Sequence, residues 1–169
     1  MVPDSFIAYF TGAATAAGAL IGLLFVAITL RPESVTGTGA LAKTQAIAVS
    51  AFTALVNAFF VSLIALVPST NLGYTAVIMA LGGLYSTFRL HRSLGKGESA
   101  LLQLVLATAA FLTQLVTGAF LIASPDRQSL VYTLAYVVVA AFAAALTRAW
   151  SLIQGRHAPQ AAETVPQES

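Results

Sequence analysis

Cysteine is absent from this chain, and charge is scarce. Without cysteine there is no disulfide, no thiolate metal site and no thiol nucleophile. Only 8% of the residues are Asp, Glu, Lys or Arg, whereas 58% are hydrophobic and the mean hydropathy is +0.86. Soluble domains carry about 25% charged residues, so the composition predicts a surface that is covered by lipid. The net charge of +2 is too small to indicate a nucleic-acid partner.

Acidic residues are also absent from the long apolar stretches. Proton-driven pumps usually carry a membrane-buried carboxylate or histidine, and both histidines, His91 and His157, fall at predicted cytoplasmic ends. The sequence has no zinc motif, no buried histidines for haem and no nucleophile beside a base. We therefore expect no enzyme, no cofactor and no metal, and we disfavour a proton-coupled transporter. The acidic residues are Asp4, Glu33, Glu98, Asp126, Glu163 and Glu168.

Five apolar runs fill most of the chain, and a helix of about 20 apolar residues crosses the hydrocarbon core. Pro32 and Pro68 end the first two runs, because proline cannot continue a helix. One side chain of the Ser69-Thr70-Asn71 turn is expected to cap the third helix. The sequence predicts an all-α, polytopic transmembrane bundle in one domain (1–154), a polar loop (33–44) and a polar, disordered tail (155–169). The predicted helices are 6–30, 45–67, 72–90, 100–123 and 130–153.

Basic residues are concentrated in alternate connections. Such an asymmetry marks the cytoplasmic side, and the opposite side has only Arg127, next to Asp126. The sequence therefore predicts an N-terminus outside, a cytoplasmic C-terminus and a multi-pass protein of the cytoplasmic membrane. Arg89 and Arg148 fall near the last turns of their helices and are expected to snorkel to the interface as anchors. The basic residues on the predicted cytoplasmic side include Arg31, Lys43, Arg92, Lys96 and Arg156.

Small residues recur at helical spacing on several predicted helices. Such residues let helix backbones approach closely in lipid, where no hydrophobic effect drives helices together. The spacing predicts helix-packing faces, either within the chain or at a seam between copies or along a pore wall. The predicted packing residues are Ala14, Gly18, Gly22, Gly82, Gly83 and Gly118.

Weakly polar side chains are expected to meet in one interior. Asn57 and Gln114 lie near mid-membrane on the second and fourth helices, where they can hydrogen-bond to each other. The residues expected from the fifth helix are Tyr132, Tyr136, Ala140, Ala143 and Thr147. Two alternatives remain open: a dry core held by amide hydrogen bonds, or a wet path for water, a small neutral solute or a weakly selected ion. The candidate path residues are Thr11, Thr15, Ser50, Thr53, Asn57, Gln103, Gln114 and Thr117.

The end of the third helix has the densest polar cluster, which is Arg89, His91, Arg92 and Lys96. It has the chemistry to dock an anionic lipid headgroup or a cytoplasmic partner. The same residues are equally typical of an ordinary positive-inside signal.

The stretch Ala19-Leu20-Ile21-Gly22-Leu23-Leu24-Phe25-Val26-Ala27-Ile28-Thr29-Leu30 resembles a segment of uncharacterised small multi-pass membrane proteins of high-GC bacteria. The resemblance covers about the first 30 residues. It implies a bacterial cytoplasmic-membrane location and no particular activity. The Ala-rich, Lys-poor composition agrees with such a genome.

Two functions are compatible with these patterns. The first is a non-enzymatic scaffold or accessory subunit, which packs its small-residue faces against a membrane-protein partner or copies of itself. The second is a passive channel or facilitator lined by the Thr, Ser, Asn and Gln residues. Both have the lipid bilayer as their surroundings.

Overall fold

The computed structural model describes residues 2, 4–29, 40–68, 70–93, 98–124 and 127–154. A single 3-10 turn, Asp4–Phe6, leads into the first of five α-helices. The predicted tail and most of the predicted loop, residues 33–39, lie outside the described residues. The helices are α1 (Ile7–Thr29), α2 (Ala40–Ala65), α3 (Leu72–Ser93), α4 (Glu98–Ala123) and α5 (Gln128–Gln154).

The helices are longer at several ends than the apolar runs predict. α2 begins at Ala40 rather than at residue 45, and α3 continues to Ser93 rather than ending at residue 90. Helix formation depends on backbone hydrogen bonds and propensity, and residues such as Ala, Leu and Lys favour it in water as well as in lipid. At its other end α2 stops at Ala65, two residues before the predicted end.

The turn between α2 and α3 has a defined cap. The backbone N–H of Gly73 donates to Asn71 Oδ1 at 2.9 Å, so Asn71 is the N-cap of α3. The predicted capping of the third helix by this turn is therefore confirmed.

α2 is the central helix of the bundle. It packs against α1, α3 and α5, and the pairs α3–α4 and α4–α5 close a ring of four helices. In this ring α2 and α4 lie on a diagonal, whereas α1 lies outside it, against α2. The fraction of buried residues reflects this difference. In the most apolar stretch of α2, 50% of the residues are buried, whereas in the stretch of the span that begins at Asp4 only 22% are.

The N-terminal half of α1 is fastened to α5. Tyr9 Oη donates to the Ala135 carbonyl oxygen at 2.7 Å. The rings of Phe6 and Tyr132 pack edge to face, with their centroids 4.6 Å apart. Phe10 and Ala17 are fully buried in the same contact region. Most of the residues after Gly18 on α1 are exposed or half-buried.

Four helices of the described chain are long and apolar enough to cross a membrane: Asp4–Ala27, Ile47–Ala65, Leu104–Ala123 and Gln128–Trp150. α3 has 22 residues but is not among the four. Large apolar side chains such as Phe25, Tyr85 and Phe120 are more than half exposed. A surface of that kind is typical of a protein embedded in lipid.

Candidate functional site

The centre of the ring contains a buried pair of amides. Asn57 Nδ2 donates to Gln114 Oε1 at 3.0 Å, and Gln114 Nε2 donates to Asn57 Oδ1 at 2.8 Å. Gln114 Nε2 also donates to the Ala76 carbonyl oxygen at 3.1 Å. The hydrogen bond predicted between these two side chains is present, and it is reciprocal. The amide pair joins α2 to α4 across the diagonal of the ring. The bond to the Ala76 carbonyl oxygen connects the pair to α3 as well.

The face of α4 that carries Gln114 is turned toward the other helices. Ala107, Thr117, Gly118 and Leu121 lie on it and are all buried. The side chain of Gln103, which the sequence places on the same face, lies outside the described residues. Residues that recur every three or four positions lie on one side of a helix, so Gln114 points into the bundle together with them.

On α2 the predicted polar stripe also faces inward. Ser50 is buried together with Asn57, and Thr53 is half-buried. Ser86 Oγ of α3 donates to Thr53 Oγ1 at 3.2 Å. Asn57 and Thr53 of α2 therefore have hydrogen-bond partners on other helices, at two levels of the bundle.

Thr11 and Thr15 differ from the prediction, because both are exposed. Thr15 Oγ1 donates to the Thr11 carbonyl oxygen of its own helix at 2.9 Å. A threonine that is satisfied in this way needs no partner inside the bundle. Since α1 lies outside the ring, these two residues do not line its interior.

The face of α5 that was predicted to point inward is exposed, so this prediction is also wrong. The buried side of α5 carries Leu134 and Val138. The five residues predicted to face inward are all exposed: Tyr132, Tyr136, Ala140, Ala143 and Thr147. Side-chain size does not distinguish the two sides, since Ala141 and Ala145 are buried whereas Val139 and Leu146 are exposed.

The predicted packing glycines fall into two groups. Gly83 is buried against the ring of Phe111, and a Cβ on Gly118 would lie 3.0 Å from the carbonyl oxygen of Gly73. Ala14 is buried and Gly18 is half-buried, with Phe59 3.6 Å from a Cβ at Gly18. By contrast, Gly22 and Gly82 are exposed, with nothing within 4 Å of an added Cβ. Within the part of the chain that the structure describes, these two glycines therefore make no packing contact.

Sequence reasoning missed Gly73 as a packing residue. A Cβ there would lie 2.6 Å from the Gly118 carbonyl oxygen. The spacing of small residues on α3 is the signal that would have found it, since they repeat every three or four positions and all are buried: Gly73, Ala76, Ala80, Gly83 and Thr87.

Arg148 was predicted to snorkel, but it is buried, with 7% of its surface exposed. Its Nη1 donates to the Ser50 carbonyl oxygen of α2 at 3.3 Å, and this is not its only interaction. It lies on the buried face of α5, seven and fourteen residues after Ala141 and Leu134. The direction of the Arg148 side chain is therefore set by its position on the helix rather than by its charge.

A groove of about 340 Å³ lies between α4 and α5, with α2 at its base. Leu106, Ala140 and Ala143 in its wall are exposed, so the groove opens on the outer surface of the bundle. Its polar lining residues are Asn57, Thr147 and Arg148. The other lining residues are apolar: Ala54, Leu106, Ala107, Ala110, Phe111, Val137, Ala140, Ala141, Ala143 and Ala144.

The predicted cytoplasmic docking cluster is described only in part. Arg89 and Arg92 are exposed near the end of α3, and the Arg92 guanidinium lies 4.6 Å from the centroid of the Phe88 ring. The side chain of His91 and the whole of Lys96 lie outside the described residues. Within the described ranges, no group of three or more His, Cys, Asp or Glu residues is placed to hold a metal ion.

The fold and this surface define a class: an all-helical, membrane-embedded protein with a hydrogen-bonded interior and a lateral groove. No protein-family model, curated protein or solved structure matches the chain. Its function must therefore be argued from its own residues.

Proposed function

We propose that this protein is a non-enzymatic scaffold or accessory subunit, which acts by packing its helices against a membrane-protein partner or another copy of itself. The observation that carries the proposal is the outer face of α1. α1 lies outside the ring, and from Thr11 to Gly22 the exposed residues of this face are small: Thr11, Gly12, Thr15, Ala16, Ala19 and Gly22. We call this set the outer face of α1.

The physical reason is the way helices associate in lipid. Because lipid tails are as apolar as the helices, association depends on close packing, and small residues permit the closest approach. Added Cβ atoms at Gly12 and Gly22 would meet nothing within 4 Å. Both positions therefore leave room for a second helix to lie directly against the α1 backbone.

The alternative is a passive channel or facilitator for a small neutral solute or weakly selected ion. It requires polar groups that face a continuous path. Asn57 and Gln114 instead bond to each other, and Thr11 and Thr15 lie on the outside. These two observations favour the packing function.

We also propose that all five helices cross the cytoplasmic membrane of a bacterium, with the N-terminus outside and the C-terminus in the cytoplasm. The distribution of Lys and Arg supports this orientation. The packing of α3 supports a fifth crossing, because buried residues recur along it from Leu72 to Thr87 between α2 and α4. Its exposed positions include the apolar residues Ile78, Leu81 and Tyr85.

The test is the native mass of the gently extracted complex, measured by native mass spectrometry for wild type and for Gly12→Leu/Gly22→Leu. We expect wild type to carry a partner or further copies and the double variant to lose them, since two leucines hold an approaching helix away. Gly82→Leu is the matched control, because Gly82 is an equally open, exposed glycine on α3. It is expected to keep the wild-type mass.

Two results would contradict the packing function. One is a wild type that is a lone monomer, and the other is an α1 variant with an unchanged mass. Solute flux into liposomes above that of empty vesicles, abolished by Asn57→Leu, would instead support the channel.

A further inference from the structure

The amide pair leaves one hydrogen-bond donor of Asn57 unused, and Asn57 lines the groove between α4 and α5. We propose that this groove binds an uncharged, ring-shaped carbonyl compound of the bilayer, of the lipid-soluble quinone class. A carbonyl oxygen of the ring accepts a hydrogen bond from Asn57 Nδ2. The proposal concerns binding alone and includes no redox step. It depends neither on the outer face of α1 nor on the charge of Arg148.

The unused donor follows from the hydrogen bonds of the pair. A carboxamide nitrogen has two N–H groups. Gln114 Nε2 uses both of its own, toward Asn57 Oδ1 and the Ala76 carbonyl oxygen. Asn57 Nδ2 donates only to Gln114 Oε1. Its second N–H therefore has no acceptor within the part of the chain that the structure describes.

The geometry of the pair directs this second N–H toward the groove. In a reciprocal amide pair each nitrogen uses the N–H on the side of its own oxygen, so the other N–H is directed away from the partner amide. Asn57 lines the groove, whereas Gln114 does not. Only 2% of Asn57 is exposed, and a buried donor without an acceptor costs free energy. A ligand in the groove that carries an acceptor removes that cost.

The depth of Asn57 narrows the class of ligand. Asn57 lies near the middle of the candidate span Ile47–Ala65, about 12 to 15 Å from either end at 1.5 Å per residue. The phosphates and ester carbonyls of phospholipids lie in the interfacial regions outside the hydrocarbon core, and their acyl chains contain no acceptor. An acceptor at this depth therefore belongs to a molecule without a hydrophilic headgroup, as a lipid-soluble quinone is.

The groove accommodates a flat ring. Its volume is about 340 Å³, whereas a cavity of about 150 Å³ is enough to bind benzene. Both helix walls are rich in alanine, with Ala107 and Ala110 on α4 and Ala140 and Ala144 on α5. Phe111 also lines the groove and offers an aromatic ring for stacking. Because the groove opens on the outer surface of the bundle, such a molecule enters directly from the bilayer.

The test is the binding of three probes to the purified full chain in mild detergent, measured by native mass spectrometry. The probes are a naphthoquinone with a short prenyl chain, the naphthalene with the same chain and no oxygen, and phosphatidylglycerol. We expect wild type to bind one naphthoquinone roughly fivefold more tightly than the naphthalene, as one neutral hydrogen bond would. Phosphatidylglycerol should not displace it, because its acceptors lie at the headgroup level.

Two pairs of variants locate the site. Ala140→Phe should fill the groove and lower the affinity for the naphthoquinone by roughly tenfold, whereas Ala119→Phe, at an exposed position of α4 outside the lining, should not. Asn57→Leu/Gln114→Leu removes both amides and should abolish the preference for the naphthoquinone over the naphthalene. Ser62→Ala, which removes a buried hydroxyl of α2 outside the lining, should keep that preference.

The proposal would be overturned by equal affinity of wild type for the naphthoquinone and the naphthalene, or by displacement of the naphthoquinone by phosphatidylglycerol. An Ala140→Phe variant that binds like Ala119→Phe would also overturn it. The comparison of probes and the alanine pair decide the question even where the double leucine variant fails to fold, because neither alters the amide pair.

Discussion

At the scale of single residues, the amide pair of Asn57 and Gln114 is the strongest constraint inside the bundle. Both side chains are at most 2% exposed. An amide that is buried without a partner would cost several kcal/mol in a hydrocarbon environment. The reciprocal bonds remove that cost and fix the register of α2 against α4.

A double-mutant cycle on this pair should reveal the coupling. Asn57→Leu alone leaves Gln114 with unmatched groups and is expected to destabilise the protein by about 1–3 kcal/mol. Asn57→Leu/Gln114→Leu should cost less than the sum of the single changes, by about 0.6–1.7 kcal/mol. The measurement is reversible unfolding in mixed micelles.

The control for that cycle combines Asn57→Leu with Phe120→Leu. Phe120 is exposed on α4 and has no part in the amide pair, so the two changes should be additive. Strict additivity of the two leucine changes at the amide pair would argue against a coupled bond.

Substitution of Ser62 is expected to stabilise the protein, whereas substitution of the amide pair is expected to destabilise it. Its hydroxyl is fully buried and has no hydrogen-bond partner among the residues that the structure describes. Ser62→Ala is therefore expected to raise the free energy of unfolding by up to about 1 kcal/mol, because it removes an unsatisfied polar group. Thr87→Val is the comparison, since Thr87 Oγ1 donates to the Gly83 carbonyl oxygen at 2.8 Å. A loss of stability in Ser62→Ala as large as that in Thr87→Val would contradict the prediction.

At the scale of helices, α3 and α4 approach each other closely at two glycines. Gly73 and Gly118 face each other there, and each would place a Cβ against the backbone of the other. Close contact of this kind replaces the hydrophobic effect as the source of helix association in lipid. The α3–α4 contact is therefore expected to be among the least tolerant of added volume.

Gly73→Ala tests this contact. The added methyl group would lie 2.6 Å from a carbonyl oxygen and 2.8 Å from the Ile122 backbone nitrogen, so the helices must move apart. We expect a loss of about 1–3 kcal/mol of unfolding free energy, as overpacking usually causes. Gly82→Ala on the same helix meets nothing within 4 Å and should be neutral or stabilising, because alanine favours a helix by about 1 kcal/mol. Equal effects of the two changes would show that the contact does not limit the packing.

At the scale of the whole molecule, the number of crossings depends on α3. The chain has no cysteine, so single cysteines can be labelled with a membrane-impermeant maleimide without background. Ser5→Cys and Thr70→Cys, both at exposed positions, should react from outside intact cells. Ser93→Cys, in the last residue of α3, should react only after the membrane is opened.

The contrast between Thr70 and Ser93 decides whether α3 crosses. Labelling of both from the same side would contradict a fifth crossing. Gln128→Cys, exposed at the start of α5, is the internal control and should behave like Ser5→Cys. Labelling of Ser5→Cys only after permeabilisation would reverse the proposed orientation.

Part of the polar interior was predictable from the sequence. The amide oxygens of Asn57 and Gln114 find no free N–H group within a helix, because the backbone N–H groups are already bonded. These side chains therefore need a partner on another helix. Threonine carries no such information, since Thr15 and Thr147 bond to carbonyl oxygens of their own helices. The outward positions of Thr11, Thr15 and Thr147 therefore could not be read from their polarity. Arg148 could not be placed either, because an arginine near a helix end can point inward or toward the interface.

The sequence by itself determined that this is an all-helical protein with a lipid-covered surface, and it located five helices within a few residues. These properties are local, because they depend on the length and hydropathy of each segment. Only the tertiary structure decided that α1 lies outside the ring, that Arg148 turns toward α2 and that a groove separates α4 from α5. In lipid both sides of a helix are apolar, so hydropathy does not distinguish the side that meets protein from the side that meets lipid. That distinction arises from the fit of side chains between helices, which is settled only when they pack.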